Sequence, residues 1–226
     1  MTMQPALAPT KLSESRTERT RAALLAAGIN LFSQQGYDAT STRQIETKAA
    51  VQRNLMTYHF GSKEQFWKAC MTALNGRMAD QMAPALSLPD GMDPGEKIRA
   101  TIRQFVRASA AVPEVGRIIF DEGRQPSWRL EWIVAHYAGG FFGEIGRLFD
   151  QGREAGLIAD IPKVSFYYML VGSAALFAMS AEAKIITGKD AFDPATVDAH
   201  ANSVAALLVP QSPSSYEPTD DREKSS

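Results

Sequence analysis

The sequence predicts an all-α protein of about nine helices, a small head followed by a larger helical body. Three observations predict it. No stretch shows the strict apolar–polar alternation of a half-buried strand, whereas apolar residues recur at spacings of three and four over long runs. Proline, glycine and Asp-Pro pairs punctuate those runs where helices would start or stop. An apolar content of 45% over 226 residues is ample for a buried core.

Taken in order, residues 1–14, with Pro5 and Pro9, read as a loose arm. Ser15 and Glu18 have the spacing of a capping box, so a first helix is expected from about Arg16 to Gln35. Ala22, Leu25, Ile29 and Phe32 line one of its faces, and Gly36 suits a left-handed end. A helix from Lys63 carries Phe66, Cys70, Leu74, Met78 and Met82 at fourfold spacing and is expected to stop at Pro84. Residues 84–95, rich in proline and glycine, read as a linker. Asp93-Pro94 with Glu96 restarts a helix that runs to about Ala111. Pro113 then opens a short helix with Val115, Ile118, Ile119 and Phe120. Another is expected from Pro126 to about Ala155, roughly 45 Å at the usual helical rise, with Gly156 ending it. It holds Trp128, Trp132, Tyr137, Phe141, Phe142 and Phe149 on more than one face, so neighbours should surround it. Its glycines at 139, 140, 143 and 146 imply either close packing or a bend, because each weakens a helix. Pro162 opens a helix expected to reach Thr187 and Gly188, and Asp193-Pro194 opens a last one that Pro210 ends. The remainder, 210–226, is too polar to fold.

Charge divides unevenly. Residues 1–72 carry 9 Lys and Arg against 5 Asp and Glu, whereas the rest carry 15 against 20, for a formal total of −1. A basic front on an acidic rear suits a head that faces nucleic acid. Cys70 is the only cysteine, so no intrachain disulfide can form. With no apolar run long enough to span a bilayer and no leader pattern, the expectation is a cytoplasmic protein without membrane contact. The histidines, His59, His136 and His200, are scattered without metal-ligand spacing. No phosphate loop or catalytic constellation is evident, so neither an enzyme, a metal nor a cofactor is expected.

Chemistry concentrates between residues 41 and 67. Ser41 and Gln44 form a capping box, Ile45, Ala49 and Val51 a small apolar face, and Arg53–His59 a short second helix rich in hydrogen-bond donors. Ser62 and Gln65 repeat the capping pattern. Spacing alone fits either an ordinary αα corner with a solvated face or a helix-turn-helix that enters a major groove.

The stretch Arg21–Trp67 resembles the amino-terminal DNA-binding domain of TetR family transcriptional regulators, through LLAAGINLFSQQGYDATSTRQI, AAV and YHFGSKE. Gly36-Tyr37 matches the end of that family's first helix, and the segment before His59-Phe60 its recognition helix. Ala50 stands where the family has a turn glycine, Glu46 where it has alanine, Gln52 where it has a capping serine, and Thr57 where it often has tyrosine. The resemblance implies a helix-turn-helix DNA-binding domain over 15–62 and a ligand-binding and dimerisation domain over 63–209. It implies a ligand-responsive repressor that binds a palindromic operator as a homodimer. The alternative is a helical ligand-binding or scaffold protein whose head no longer binds DNA.

The residues expected at DNA are Arg53, Asn54, Thr57, Tyr58 and His59, with Thr42 and Lys63 holding phosphates and Arg19 or Arg21 adding to them. A pocket for a small apolar or weakly polar effector is expected among Phe105, Ile119, Trp132, His136, Tyr137 and Tyr168. Gly172 and Ala175, within a run of small residues, and the stripe Val197, Ala201, Val204 and Leu208 are expected at the dimer contact; the alternative is that they face the protein's own core.

Overall fold

A computed structural model of the chain describes residues 11–89 and 91–210, and every regular element among them is helical. Residues 1–10 of the expected arm and the tail beyond Pro210 lie outside the described residues. Helix α1 (Lys11–Gln35) already includes Ser15, so the first helix starts earlier than the capping pattern predicts. It ends at Gly36, φ 77°, as expected of a left-handed terminator. Helices α2 (Thr42–Lys48) and α3 (Leu55–Phe60) follow, then the long α4 (Lys63–Leu86). Pro84 lies inside the last turn of α4 rather than before its end. That turn is closed by Ser87, whose amide donates to the Pro84 carbonyl at 3.3 Å.

Leu24, Ile29 and Phe32 of α1, Ile45 of α2, Met56 and Phe60 of α3, and Phe66, Trp67 and Cys70 of α4 form one buried cluster. The same cluster continues into Val112, Ile118 and Ile133, which belong to the body. Head and body therefore share a core.

In the body, α5 (Pro94–Ala111) starts on Asp93, whose carboxylate accepts from the Glu96 amide at 2.9 Å, and α6 (Pro113–Glu122) follows. The helix expected over 126–155 is continuous from Trp128 but not uniform: α7 (Trp128–Ile133) passes through a π-helical turn (Val134–Ala138) into α8 (Gly139–Glu154). A Cβ on Gly139 would lie 2.8 Å from the Val134 carbonyl, so glycine there admits the widened turn. Gly156, φ 69°, ends the run.

The helix expected from Pro162 to Thr187 is broken into α9 (Lys163–Gly172), the single turn α10 (Ala175–Ala178) and α11 (Ser180–Thr187), and the chain bends by 74° between Ala178 and Ser180. The earlier break, after Gly172, has a polar cause. Ser173 Oγ donates to the Leu170 carbonyl at 2.6 Å, and His200 Nε2 donates to the Ser173 carbonyl at 2.9 Å. Both acceptors are thereby diverted from a regular ladder. Helix α12 (Pro194–Leu208) starts on Asp193 and packs along α5. Ile98, Ile102, Phe105, Phe149, Phe166, Leu170, Ala201, Val204 and Leu208 form the body's own core. No single helix among the described residues is long and apolar enough to cross a membrane.

Candidate nucleic-acid interface and effector cavity

The two short helices of the head start differently. At α2 the expected capping box is complete: the Gln44 amide donates to Ser41 Oγ at 3.2 Å and the Ser41 amide to Gln44 Oε1 at 2.7 Å. Helix α3 has no such cap. Gln52 supplies none, Asn54 adopts φ 66°, and the helix begins at Leu55, two residues later than expected. Its first turn is held from a distance, by Glu46 of α2, whose Oε1 accepts from the Met56 amide at 3.1 Å. Glu46 is buried, and that bond satisfies both a buried carboxylate oxygen and one of the orphan donors of α3. Ala50, in the turn, takes φ 53°.

Arg53, Asn54, Thr57 and Tyr58 are exposed on one side of this unit, Tyr58 at 80%. Thr42, His59 and Lys63 are half-buried. His59 has its pKa lowered, by burial first and by Arg21 second. Arg21 donates to the His59 carbonyl at 2.8 Å and lies 4.3 Å over the Phe60 ring, a brace between α1 and α3. Lys63 places its ammonium 4.1 Å over Tyr37, and burial lowers its pKa against the pull of Asp38.

Tyr37 is the centre of the joint between head and body. Trp128 stands edge-on to it at 5.6 Å and the Arg129 guanidinium faces its ring at 4.8 Å. Arg129 pairs with Glu122 at 2.7 Å and with Asp38 at 3.3 Å. Trp67 of α4 contacts Trp128 and Trp132 at 5.4 and 5.6 Å, so all three tryptophans of the chain meet here.

On the far side of the same helical run lies a cavity of about 240 Å³. Met71, Leu74, Asn75, Met78 and Met82 of α4 form one wall, with Phe105, Ser109, Ile119, Tyr137, Phe141 and Tyr167 among the others. No ionised side chain lines it.

Residues 24–70 match the family profile described as "Bacterial regulatory proteins, tetR family". The head of the chain is thus similar to that of TetR-family regulators. It is 33% identical over 120 residues to the HTH-type transcriptional regulator BetI of Rhizobium meliloti, covering 52% of this chain and 58% of that protein. It is 24% identical over 170 residues to the HTH-type transcriptional repressor NicS of Pseudomonas putida, covering 74% of this chain and 79% of that one. The chain thus spans little more than half the length of the first of these relatives. Among solved structures, HlyIIR, a hemolysin II transcriptional regulator, superposes with a TM-score of 0.60 at 19% identity, over 86% of this chain and 99% of its own. The fatty acid degradation regulator FadR of Bacillus halodurans gives 0.61 at 16% identity, over 84% and 94%. At such identities the likeness is one of fold.

Of the residues read from the sequence as a pocket, Phe105, Ile119 and Tyr137 line this cavity, whereas Trp132, His136 and Tyr168 do not. Trp132 turns to the tryptophan cluster, and His136 is exposed and stacks on it at 4.3 Å. Tyr168 is 66% exposed, and its neighbour Tyr167 takes the cavity side. The sequence does not mark the α4 wall as cavity lining, although Leu74, Met78 and Met82 stand out in it as a stripe. Nor does it mark Glu46 or the Tyr37–Arg129 joint, for which residues distant in sequence have to meet.

The dimer stripe on the last helix needs correction. Ala201, Val204 and Leu208 are buried in the protomer's own core and Val197 packs against it, because α12 lies along α5. The opposite face of α12 is the exposed one, with Ala199, Asn202, Ser203, Ala206 and Leu207. Ile185 and Ile186 of α11 are also exposed, at 86% and 74%. Gly172 is exposed, and both it and Ala175 line an open cleft with Arg117 and Met179.

Proposed function

We propose that this protein is a ligand-responsive, sequence-specific DNA-binding repressor that acts as a homodimer on a near-palindromic operator. The observation that carries this is the shared core: the helix-turn-helix, with an exposed face of Arg53, Asn54, Thr57 and Tyr58, is packed onto the helices that wall the apolar cavity. Tyr58 and Thr57 offer hydrogen-bonding groups on α3, while Arg53 and Asn54 precede it in the turn. Thr42 at the start of α2 and Lys63 at the start of α4 would meet phosphates, Lys63 after leaving the Tyr37 ring. Phosphate contacts set the register and base contacts the sequence. Two heads of a dimer would read half-sites about 34–36 Å apart. The exposed faces of α11 and α12, not the buried stripe, would supply the contact between protomers, as a four-helix arrangement of isologous contacts.

Coupling follows from where the wall leads. Helix α4 passes from Met78 and Leu74 at the cavity to Trp67 and Lys63 in the head; α7 and its π turn pass from Tyr137 to Trp128 and Arg129 at the joint. A ligand that fits the cavity better in the DNA-free arrangement would shift the population toward it. Selection of bound fragments from a random DNA pool, followed by gel shift, tests the DNA reading. A near-palindromic consensus bound by a two-protomer complex is expected. Recovery of no consensus would return the protein to the alternative of a helical ligand-binding or scaffold protein whose head no longer binds DNA.

A further inference from the structure

The cavity carries enough detail to say what chemistry it accepts. Four of its lining side chains are polar: Asn75, Ser109, Tyr137 and Tyr167. Two of them are already engaged. Ser109 Oγ donates to the Phe105 carbonyl at 2.9 Å, and the Tyr137 hydroxyl to Thr72 Oγ1 at 3.1 Å. The Asn75 amide and the Tyr167 hydroxyl have no hydrogen-bond partner among the described residues, and neither counts among the fully enclosed orphan atoms. Burial, with Tyr168 beside it, raises the pKa of Tyr167, so its hydroxyl stays a neutral donor at physiological pH.

All remaining lining groups are apolar, and three are methionines: Met71, Met78 and Met82. Thioethers adapt in shape and pack well at aromatic edges. An ionised ligand would find no counter-charge on these walls, and an unpaired buried charge is strongly disfavoured. Size narrows the class further. An apolar cavity of about 150 Å³ holds one benzene ring; the 240 Å³ here suits a fused two-ring skeleton or a chain of similar bulk.

We propose that the cavity binds an uncharged, two-ring-sized apolar molecule bearing a single hydrogen-bonding group, which Asn75 and Tyr167 receive. This rests on reading the cavity as the effector site.

Calorimetry on the full chain with three probes of one skeleton tests it: naphthalene, 1-naphthol and 1-naphthoate. The two neutral probes should bind, and 1-naphthoate should bind at least about 100-fold more weakly than 1-naphthol. Tyr167→Phe should weaken 1-naphthol by up to about tenfold and leave naphthalene unchanged. Asn75→Ala, at an exposed rim position where folding is not at stake, should act in the same direction. Equal binding of 1-naphthoate, failure of 1-naphthol at millimolar concentration together with naphthalene at saturation, or 1-naphthol affinity indifferent to both variants would overturn the proposal. Measuring operator affinity with and without 1-naphthol keeps the two readings apart. Binding in the expected pattern with no change at DNA would uphold the chemistry of the cavity and remove its effector role.

Discussion

The head is held at two ends, and by different means. Where it meets the body, Tyr37 lies between Lys63, Arg129 and Trp128, Arg129 is paired twice, and three tryptophans close the gap. Where it would face DNA, α3 is a helix of six residues with no local cap, kept in place by its buried underside, one carboxylate from α2 and the Arg21 brace from α1. Density of contact at one end and economy at the other suit a unit that moves as a rigid extension of the body while presenting a short, accessible helix. The largest expected effect tests the dense end. Arg129→Ala strands Glu122, whose side chain is 6% exposed, and releases Asp38. A loss of about 3 kcal/mol in stability is expected, since removing one partner of a buried pair leaves an uncompensated charge. Urea denaturation reads it; a midpoint close to that of the parent chain would mean the joint is not a stabilising contact.

The sparse end should respond in function before stability. Arg53→Ala is expected to cost about 1–3 kcal/mol of operator affinity and to relax one position of the consensus. A uniform loss across sequences with a shallower salt dependence would instead make Arg53 a phosphate contact. Glu46→Ala should destabilise the head by about 1–2 kcal/mol, the usual worth of a helix cap to a charged acceptor. Operator affinity should fall with it, because Met56 and the exposed Thr57 and Tyr58 share the turn that Glu46 holds. The conservative Glu46→Gln keeps an acceptor oxygen and should recover most of both. If Glu46→Ala unfolds at the parent midpoint, the Met56 amide is held by something else.

The same contrast explains what the sequence could reveal. Signals that act within four residues were legible: the Ser41–Gln44 box, the Asp93-Pro94 and Asp193-Pro194 starts, and the glycine terminators at 36, 156 and 188. What depends on a distant partner was not. The break after Gly172 is only partly local: Ser173 Oγ takes the Leu170 carbonyl, but the Ser173 carbonyl goes to His200, 27 residues on. The stripe of α12 has the spacing of either an interface or a core face, and only the position of α5 decides between them. Trp132, His136 and Tyr137 lie within two turns of one helix, yet only Tyr137 reaches the cavity; the π turn from Val134 to Ala138 shifts the register that a uniform helix would give. The departures at Glu46, Ala50 and Gln52 could be seen singly in the sequence. Their relation, with Glu46 capping the helix that Gln52 leaves uncapped, needed the fold.

Ala50 gives the smallest effect and the one of opposite sign. Its φ of 53° places an L side chain in the left-handed region, where Cβ crowds the following carbonyl. The residue is exposed, so its methyl group contributes no core packing that a substitution would lose. Glycine removes the crowding, worth about 1–2 kcal/mol, and gives back about 0.5–1 kcal/mol through the greater freedom of the unfolded chain. Ala50→Gly should therefore stabilise the protein by somewhat under about 1 kcal/mol. The hydrogen bond that the residue 50 amide donates to the Thr47 carbonyl, 3.1 Å, is kept by either residue, so the angle between α2 and α3 and the operator consensus should not change. Combined with Glu46→Ala, the glycine should offset part of the lost stability without restoring operator affinity, because it relaxes the turn but does not cap α3. A destabilised Ala50→Gly variant would show that the left-handed turn is held without strain in the parent chain.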